Sequence, residues 1–386
     1  MSFSKVIDQL NWDTVQSSIQ TKTEADVEKA LTRTRPGIDD FMSLISPAAD
    51  SCLAEMVERS HALTRQRFGN GMNLFVPLYL SNTCANDCSY CGFSMSNAIK
   101  RMTLDEAGVQ REVEAIKGLG VDNLLLVTGE TRRVSMPYFE RMLPLIRPHF
   151  SHLSMEVQPL ETEEYRRLRE LGLDAVMIYQ ETYNRDSYTE HHTRGNKSNF
   201  EYRLDTPDRL GQAQVHKIGL GVLLGLSDWR TDSLFMAQHL RYLQKRYWRS
   251  KFSVSFPRIR PCAGGTPPRH LLTDRQLVQL VCAWRIFDSD LELTLSTRES
   301  ASFRDNLMPI GFTSMSAEAS TRPGGYADKG NEALEQFEIA DQRSFSEIRS
   351  QLRLQGLEAI DKDWDRALAI GSRFEQRDLY RYKAAE

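Results

Sequence analysis

Short apolar runs alternate with longer amphipathic stretches along most of the chain after residue 72. Eight of the apolar runs are candidate strands: NLFVPLYL (73–80), NLLLVTG (123–129), LSMEVQP (153–159), AVMIYQET (175–182), KIGLGVLLGL (217–226), FSVSFPR (252–258), LELTLSTRE (291–299) and GFTSMSA (311–317). The stretches between them repeat apolar residues every three or four positions, as amphipathic helices do. Strands that alternate with helices predict parallel β/α units, and eight units predict an α/β fold with a closed (β/α)8 barrel of the TIM type. The eighth repeat is the weakest, so an incomplete barrel is the alternative.

The segments that flank this repeat predict two further regions. Residues 1–70 read as an N-terminal helical extension, because TEADVEKALTR and SCLAEMVERSHALTRQRF have helical periodicity and the GNGM that follows breaks it. The barrel should occupy residues 71–320, and residues 321–386 should hold the loop RPGGYAD and a more polar C-terminal helical tail. Thr103 and Thr273, each with an acidic residue close behind, are predicted helix caps.

Composition narrows the class of protein. The 386 residues are 40% hydrophobic and 26% charged, with a net charge of −3, which is typical of a globular protein and argues against a nucleic-acid partner. The N-terminus has no apolar signal-peptide core, and no run of 18 apolar residues predicts a membrane span. Three of the six cysteines, Cys52, Cys262 and Cys282, are scattered. That usage predicts a reducing, cytoplasmic location.

Polar residues collect where the candidate strands end, and in a barrel of this type the active site lies at the carboxyl ends of the strands. Each of these residues has an ordinary explanation as a turn or cap residue, and the glycines of KIGLGVLLGL could serve close packing. Together they place carboxylates and guanidinium groups in apolar surroundings. Buried charges need partners, and an amino acid with its own carboxylate and ammonium would supply them. The residues concerned include Tyr79, Thr128, Gly129, Glu130, Glu156, Gln158, Glu181, Gly221, Arg258, Arg298, Ser314 and Ser316.

The other three cysteines lie within the eight residues CANDCSYC (84–91), at the spacing C-x3-C-x2-C. A structural zinc site uses four ligands, and a disulfide framework needs an even number of cysteines in a secreted chain. Cys84, Cys88 and Cys91 instead favour a [4Fe–4S] cluster that lacks its usual fourth cysteine and keeps one iron open. A zinc site completed by a distant His or Cys and a set of unliganded thiols are the alternatives.

This cysteine motif, with an aromatic residue before its third cysteine, resembles the signature of the radical S-adenosylmethionine (SAM) enzymes. In that family the open iron chelates the amino and carboxylate groups of SAM. The resemblance implies that Tyr90 packs near the adenine. TGE (128–130) resembles the Gly-Gly-Glu motif that binds the methionine amino group, with Thr128 in place of the first glycine and with Gly129 and Glu130 retained.

A longer resemblance covers nearly the whole chain. PLYLSNTCANDCSYCGFSMSN, LLLVTGE, MEVQPL, YQETY, RLDTPDRLG, KIGLGVLLGLSDWR, SFPRIRPC, LSTRES and RPGGYAD resemble the tyrosine lyases of thiamine thiazole biosynthesis. In related aromatic amino acid lyases, an arginine after the seventh strand and a serine on the eighth bind the substrate carboxylate, and a tyrosine five residues before the first cysteine lines the site. Arg298, Ser316 and Tyr79 match these positions, with Ser314 as the alternative serine.

Four further residues are candidate cofactor contacts. Glu156 and Gln158 should contact the cofactor or the substrate, Gly221 belongs to the glycine-rich strand end, and Arg203 should pair with the SAM carboxylate. The alternative for Arg203 is an arginine on a surface helix. The neighbouring pair His191–His192 could assist proton transfer, or it could be loop structure.

The resemblance implies a [4Fe–4S] cluster and SAM as cofactors, and cleavage of the Cα–Cβ bond of L-tyrosine to 2-iminoacetate and 4-methylphenol. It further implies an external reductant such as flavodoxin, and thiazole synthase as the protein that receives the imine. Other candidates are a tryptophan lyase, the tyrosine lyase of hydrogenase maturation, and a non-catalytic zinc or iron–sulfur binding module. The hydrogenase-maturation lyase carries further cysteines in a C-terminal extension, whereas no cysteine follows Cys282 here.

Overall fold

The computed structural model of the protein describes residues 2–328, 330 and 335–360. Its strands are β1 (Gly71–Ser81), β2 (Asp87–Cys88), β3 (Asn123–Thr128), β4 (His152–Glu156), β5 (Ala175–Glu181), β6 (His192–Arg194), β7 (Lys217–Val222), β8 (Lys251–Ser255), β9 (Glu292–Leu295), β10 (Ser314–Ser316) and β11 (Glu358–Ile360). Its α-helices are α1 (Ser4–Ile7), α2 (Trp12–Gln20), α3 (Glu24–Thr32), α4 (Ile38–Leu44), α5 (Leu53–Phe68), α6 (Glu106–Gly118), α7 (Met136–Ile146), α8 (Thr162–Glu170), α9 (Arg185–His191), α10 (Phe200–Leu204), α11 (Thr206–Gln212), α12 (Trp229–Arg246), α13 (Asp274–Phe287), α14 (Ala301–Leu307) and α15 (Phe345–Leu354).

Eight of these strands form a closed parallel barrel, in the order β1-β3-β4-β5-β7-β8-β9-β10. The ring closes where β10 pairs with β1, at Asn73 opposite Ser314 and Phe75 opposite Ser316. All eight predicted strands are present, so the (β/α)8 prediction is confirmed and the incomplete barrel is excluded. The strands are largely buried on both faces, because side chains fill the barrel inside and helices cover it outside, although polar strand residues such as Asn123, Lys217 and Ser253 are also buried.

Polar side chains fix where the barrel helices begin. Thr273 caps α13 as predicted, in a capping box with Gln276. Thr103 does not cap α6: Asp105 accepts from the Gly108 amide there. The Thr103 hydroxyl lies 2.7 Å from that of Ser81 instead, so it joins the following loop to the end of β1. The Thr103 cap prediction was wrong because the carboxylate two residues later reaches the free amides.

The N-terminal helices pack against the outside of the barrel, and their apolar residues share its core. The Phe41 ring on α4 lies 4.6 Å from Trp284 and 4.8 Å from Phe287 of α13, between ring centroids. Phe3 stacks on His239 of α12, 3.9 Å between centroids. The predicted helical extension is therefore a layer over α12 and α13. Among the described residues, no helix combines the length and the apolar character needed to cross a membrane.

The chain that follows β10 crosses the carboxyl end of the barrel before it returns to the outside. Gln336 donates its amide to Thr321 O at 3.1 Å, and Glu338 donates to Pro261 O at 3.0 Å. After α15, β11 adds to the start of β1 in parallel, with Gly71 opposite Glu358. The sequence did not predict β11, and the predicted helical tail beyond residue 360 lies outside the described residues.

Candidate active site

A short strand pairing and several hydrogen bonds hold the cysteine loop in place. Its two-residue strand β2 pairs antiparallel with β6, Asp87 opposite Arg194. Ala85 donates its amide to Glu130 O at 2.8 Å, and the Cys88 amide donates to Ser94 Oγ at 2.9 Å. These bonds join the loop after β1 to the end of β3 and to the region after β5. The thiols are therefore held by backbone contacts from three parts of the barrel.

The three thiols line one cavity at the carboxyl end of the barrel, and its empty space, with the open mouth included, is about 830 Å³. Burial raises the pKa of all three, Cys84, Cys88 and Cys91, so the thiolates need a positively charged partner such as iron. The backbone at Gly129 packs closely against the cysteine loop, because a Cβ on this glycine would lie only 2.4 Å from Thr83 O. The donor set and the close approach of this glycine fit a cluster held by three cysteines.

A single zinc ion has less support in the described part of the chain. Such an ion needs about four ligands that converge on one point. Residues 2–328, 330 and 335–360 contain no group of three or more His, Cys, Asp or Glu side chains placed to hold one metal ion. A [4Fe–4S] cluster spreads its cysteines over different irons and does not require that convergence.

Tyr90 is fixed by the two neighbouring histidines. His192 lies 2.7 Å from Tyr188 O through Nδ1, so Nδ1 carries the proton and Nε2 accepts from the Tyr90 hydroxyl at 2.6 Å. Burial lowers the pKa of His192 well below its ordinary value, which keeps the ring neutral. His191 Nδ1 lies 2.5 Å from Ser89 Oγ. Both histidines therefore support the cysteine loop.

One wall of the cavity carries a network of paired charges. Arg203 donates to Glu130 at 2.8 Å, and Lys197 donates to Glu181 at 2.7 Å. Asn86 donates to the second Glu130 oxygen at 2.8 Å. Burial opposes ionisation of Glu130, but Arg203 and Lys197 outweigh burial and lower the pKa of this carboxyl. Glu181 has a φ of +71°, a strained conformation for a non-glycine residue that is common at functional sites.

The other charged residues of the cavity are Glu156 and Arg298. Burial, with Glu181 nearby, raises the pKa of Glu156 to about 7. Burial also lowers the pKa of Arg298. The Arg298 guanidinium lies 3.5 Å from the centroid of the Phe337 ring and donates to Arg258 O at 3.4 Å. The cavity thus offers a carboxylate and a guanidinium outside the paired network.

The structure brings most of the predicted site residues to the lining of this cavity, and four of them lie outside that lining. Those that line it are Cys84, Cys88, Tyr90, Cys91, Thr128, Gly129, Glu130, Glu156, Arg203 and Arg298. Tyr79 is buried beside it and donates its hydroxyl to Gln336 Oε1 at 2.7 Å. Gln158 donates to Val134 O at 3.1 Å.

The remaining two predicted residues support others. A Cβ on Gly221 would lie 2.4 Å from the Tyr179 ring, so this glycine makes room for Tyr179, which lines the cavity. Ser316 accepts from the Thr297 amide at 3.1 Å, next to Arg298. Its alternative, Ser314, lies 3.0 Å from Thr294 Oγ1 and does not line this cavity.

Sequence reasoning missed several residues of the lining. Lys197 lies in YTEHHTRGNK, a polar run where only the histidines stood out, and its burial follows from the pairing of β6 with β2. Gln336 and Phe337 follow the last barrel strand by about 20 residues, in a stretch without periodicity. Tyr179 lies within an apolar strand, where a tyrosine is typical of the core. Only the glycine at its neighbour Gly221 indicated that space is needed there. Asn86, within the cysteine motif, was the most accessible of these to sequence reasoning.

A parallel barrel with three cysteines in the loop after β1 and a Thr-Gly-Glu turn after β3 defines the class of radical SAM enzymes. Residues 78–236 match the Radical SAM superfamily, and residues 255–358 match the Biotin and Thiamin Synthesis associated domain. The 2-iminoacetate synthase of Escherichia coli (strain K12) is 53% identical over 96% of this chain and 99% of that protein. The 2-iminoacetate synthase of Salmonella typhimurium (strain LT2) is 54% identical over 94% and 97%. The chain therefore belongs to the 2-iminoacetate synthase family.

A solved structure supports the same grouping. The FeFe-hydrogenase maturase HydG from Carboxydothermus hydrogenoformans superposes with a TM-score of 0.79 at 29% identity, over 92% of this chain and 81% of that chain. This likeness confirms the radical SAM fold and places the chain in a group of related enzymes.

Proposed function

We propose that the protein is a radical SAM lyase that cleaves the Cα–Cβ bond of L-tyrosine to 2-iminoacetate and 4-methylphenol, for thiamine thiazole biosynthesis. The observation that carries the proposal is the cavity itself. Three thiols, one buried and two half-buried, line one space inside the barrel mouth together with a guanidinium that has no carboxylate partner among the described residues. Identity of 53% and 54% to two 2-iminoacetate synthases, over nearly the whole chain, supports tyrosine as the substrate.

Cys84, Cys88 and Cys91 would hold a [4Fe–4S] cluster through three of its irons, with the fourth iron open to SAM. When bound, these cofactors supply a 5′-deoxyadenosyl radical, with methionine as coproduct. Reduction would come from an external donor such as flavodoxin. The protein holds the thiols, orients the two ligands and excludes water.

The wall of paired charges would bind SAM. Thr128, Gly129 and Glu130 would contact the methionine amino group, and Arg203 would reach the carboxylate next to them. Tyr90 would pack against the adenine from the position in which His192 holds it. Gln158 and Gly221 would act at one remove, since neither lines the cavity.

The opposite wall would bind the substrate. Arg298 can form a bidentate pair with the tyrosine carboxylate, because its planar fork matches two oxygens. Ser316 would position the Arg298 loop through its bond to the Thr297 amide. Tyr79 donates a hydrogen bond to Gln336. It would close the side of the cavity that is covered by the chain around Gln336. The imine product is open to hydrolysis, which favours direct transfer to a thiazole synthase in the cytoplasm.

The test is an anaerobic assay with three substrates. The protein is reconstituted with iron and sulfide, reduced with dithionite, and given SAM with L-tyrosine, L-tryptophan or no amino acid. We expect 5′-deoxyadenosine and 4-methylphenol in similar amounts with tyrosine only. Formation of 5′-deoxyadenosine without 4-methylphenol would show that tyrosine is not the substrate. An indole product from tryptophan would identify tryptophan as the substrate instead. A protein that never gains the visible absorbance of a cluster would overturn the proposal as a whole.

A further inference from the structure

Glu156 and Arg298 stand on opposite sides of the barrel mouth. Glu156 is the last residue of β4, the third strand of the ring counted from β1, and Arg298 follows β9, the seventh. In a ring of eight, the third and seventh strands face each other. Both side chains line the same cavity, so a carboxyl group and a guanidinium group face one space from opposite walls.

Neither of these side chains forms an ion pair with another described side chain. Glu130 is paired with Arg203 and Glu181 with Lys197. Glu156, in contrast, makes no side-chain hydrogen bond or ion pair among the described residues, and Arg298 has only the carbonyl of Arg258 and the Phe337 ring. An unpaired charge in a buried cavity is costly, so this arrangement is complete only with a ligand that carries both signs.

We propose that Glu156 binds the α-ammonium group of the amino acid substrate and accepts a proton from it, while Arg298 holds the carboxylate. The inference rests on the proposed function and adds a residue role to it. Glu156 thereby becomes a substrate contact. The amino acid would lie across the mouth, with its Cα between β4 and β9.

The proton transfer balances without any other reactant. One proton passes from the ammonium nitrogen to a carboxylate oxygen of Glu156, no electron moves, and a neutral amine and a neutral carboxylic acid result. A neutral amine keeps its nitrogen lone pair, which an ammonium lacks, and that lone pair stabilises a radical centre at or beside nitrogen.

The charged groups that face Glu156 set its affinity for a proton. Glu181 on β5 raises the pKa of this carboxyl, whereas Arg298, Lys197 and Arg203 lower it. Burial is the largest of these effects, and together they raise the pKa of Glu156 to about 7. That value is closer to the pKa of an amine than the pKa of an ordinary glutamate is. The phenols of Tyr79 and Tyr179 border the same space and remain protonated, because burial raises the pKa of both.

The experiment measures ligand affinity in the reconstituted enzyme with SAM bound and no reductant, by anaerobic titration calorimetry. The ligands are L-tyrosine and 3-(4-hydroxyphenyl)propanoate, which lacks only the amino group. The variants are Glu156→Gln, Glu156→Asp and the control Glu163→Gln, at an exposed position on α8. A hydrogen bond to a charged group supports an expected loss of about tenfold or more in tyrosine affinity for Glu156→Gln.

We expect Glu156→Gln to leave the affinity for the propanoate and for SAM within about twofold of wild type, since neither depends on this carboxylate. Glu156→Asp should bind tyrosine with intermediate affinity, and it carries the test if the Gln variant fails to fold. An equal loss for both tyrosine and the propanoate, or weaker SAM binding, would overturn the inference and return Glu156 to the cofactor. Unchanged tyrosine affinity in a variant of an enzyme whose wild type forms 4-methylphenol would overturn the inference alone. A wild type that neither binds nor cleaves tyrosine would overturn the proposed function with it.

Discussion

Arg298 stacks its guanidinium on the ring of Phe337, 3.5 Å from the centroid. The contact joins the end of β9 to the segment that crosses the mouth of the barrel. It leaves the guanidinium without a carboxylate partner among the described residues, although burial lowers the pKa of this group. A bound carboxylate would offset the cost of burying the unpaired guanidinium charge. The stacked guanidinium is therefore suited to bind an anion.

The first prediction concerns this arginine. Arg298→Ala should lower kcat/KM for tyrosine cleavage roughly 100-fold or more, because truncation of one partner of a buried charge pair has effects of that order. The iron content and the visible absorbance should stay at wild-type values. Arg141→Ala, at an exposed site on α7, is the control. Unchanged cleavage by Arg298→Ala would remove the residue from the substrate site.

The second prediction separates the cysteines. Cys88→Ala should lose most of the bound iron and the broad visible absorbance after reconstitution, because a cluster with two cysteine ligands is poorly held. Cys262→Ala should keep both, since Cys262 is half-buried and does not line the cavity. Iron and sulfide analysis with an absorbance spectrum checks both variants. Equal iron in the two variants would argue against a cluster on the C-x3-C-x2-C motif.

The third prediction uses two glycines that differ in their surroundings. A Cβ on Gly129 would lie 2.4 Å from Thr83 O and 3.0 Å from Cys84 Cβ, whereas a Cβ on Gly118 would meet nothing within 4 Å. Gly129→Ala should therefore displace the cysteine loop and reduce cluster assembly severalfold. Gly118→Ala should assemble the cluster normally and gain slightly in stability, as alanine suits a helix. Normal iron content in Gly129→Ala would show that the loop has more room than the structure gives it.

The fourth prediction is a pH dependence of stability. Burial lowers the pKa of His239 to about 3, against about 6.5 in the unfolded chain. Below pH 6.5 the unfolded chain therefore takes up a proton that the folded chain refuses, so stability is full above that pH and falls as the pH drops toward 3. At pH 5.5 this histidine costs about 1.4 kcal/mol.

His239→Phe removes that proton uptake and keeps a ring against Phe3. The fall in melting temperature between pH 7.5 and 5.5 should be smaller in the variant than in wild type, whatever their absolute values. Parallel thermal melts at the two pH values measure the difference. An equal fall would mean that His239 can be protonated without unfolding.

The barrel could be predicted from the sequence because each strand is a short apolar run that is buried on both faces, and because helices of regular period separate the strands. Closure was harder to predict, since β10 has only three residues, Ser314–Ser316, and two of them are polar. The barrel closes through the pairing of β10 with β1, and the paired residues are about 240 positions apart in the sequence.

The cysteine motif gave the position of the site, but not the residues that distant loops bring to it. Lys197 reaches the cavity because β6 pairs with β2, and two strands of two and three residues leave no periodic signal. Gln336 arrives on an irregular segment whose path depends on contacts with Thr321 and Pro261. Such contacts are tertiary, so neither local propensity nor spacing could show them.

The most direct test of the central claim follows two carbon atoms. The reconstituted enzyme is reduced in the presence of SAM and L-tyrosine labelled with ¹³C at Cα or at Cβ. If the Cα–Cβ bond breaks, the Cβ label should appear in the methyl group of 4-methylphenol, and the Cα label should appear in the two-carbon product, recovered as glyoxylate after hydrolysis of the imine. Both labels in one product, or no labelled product beside 5′-deoxyadenosine, would contradict a tyrosine lyase.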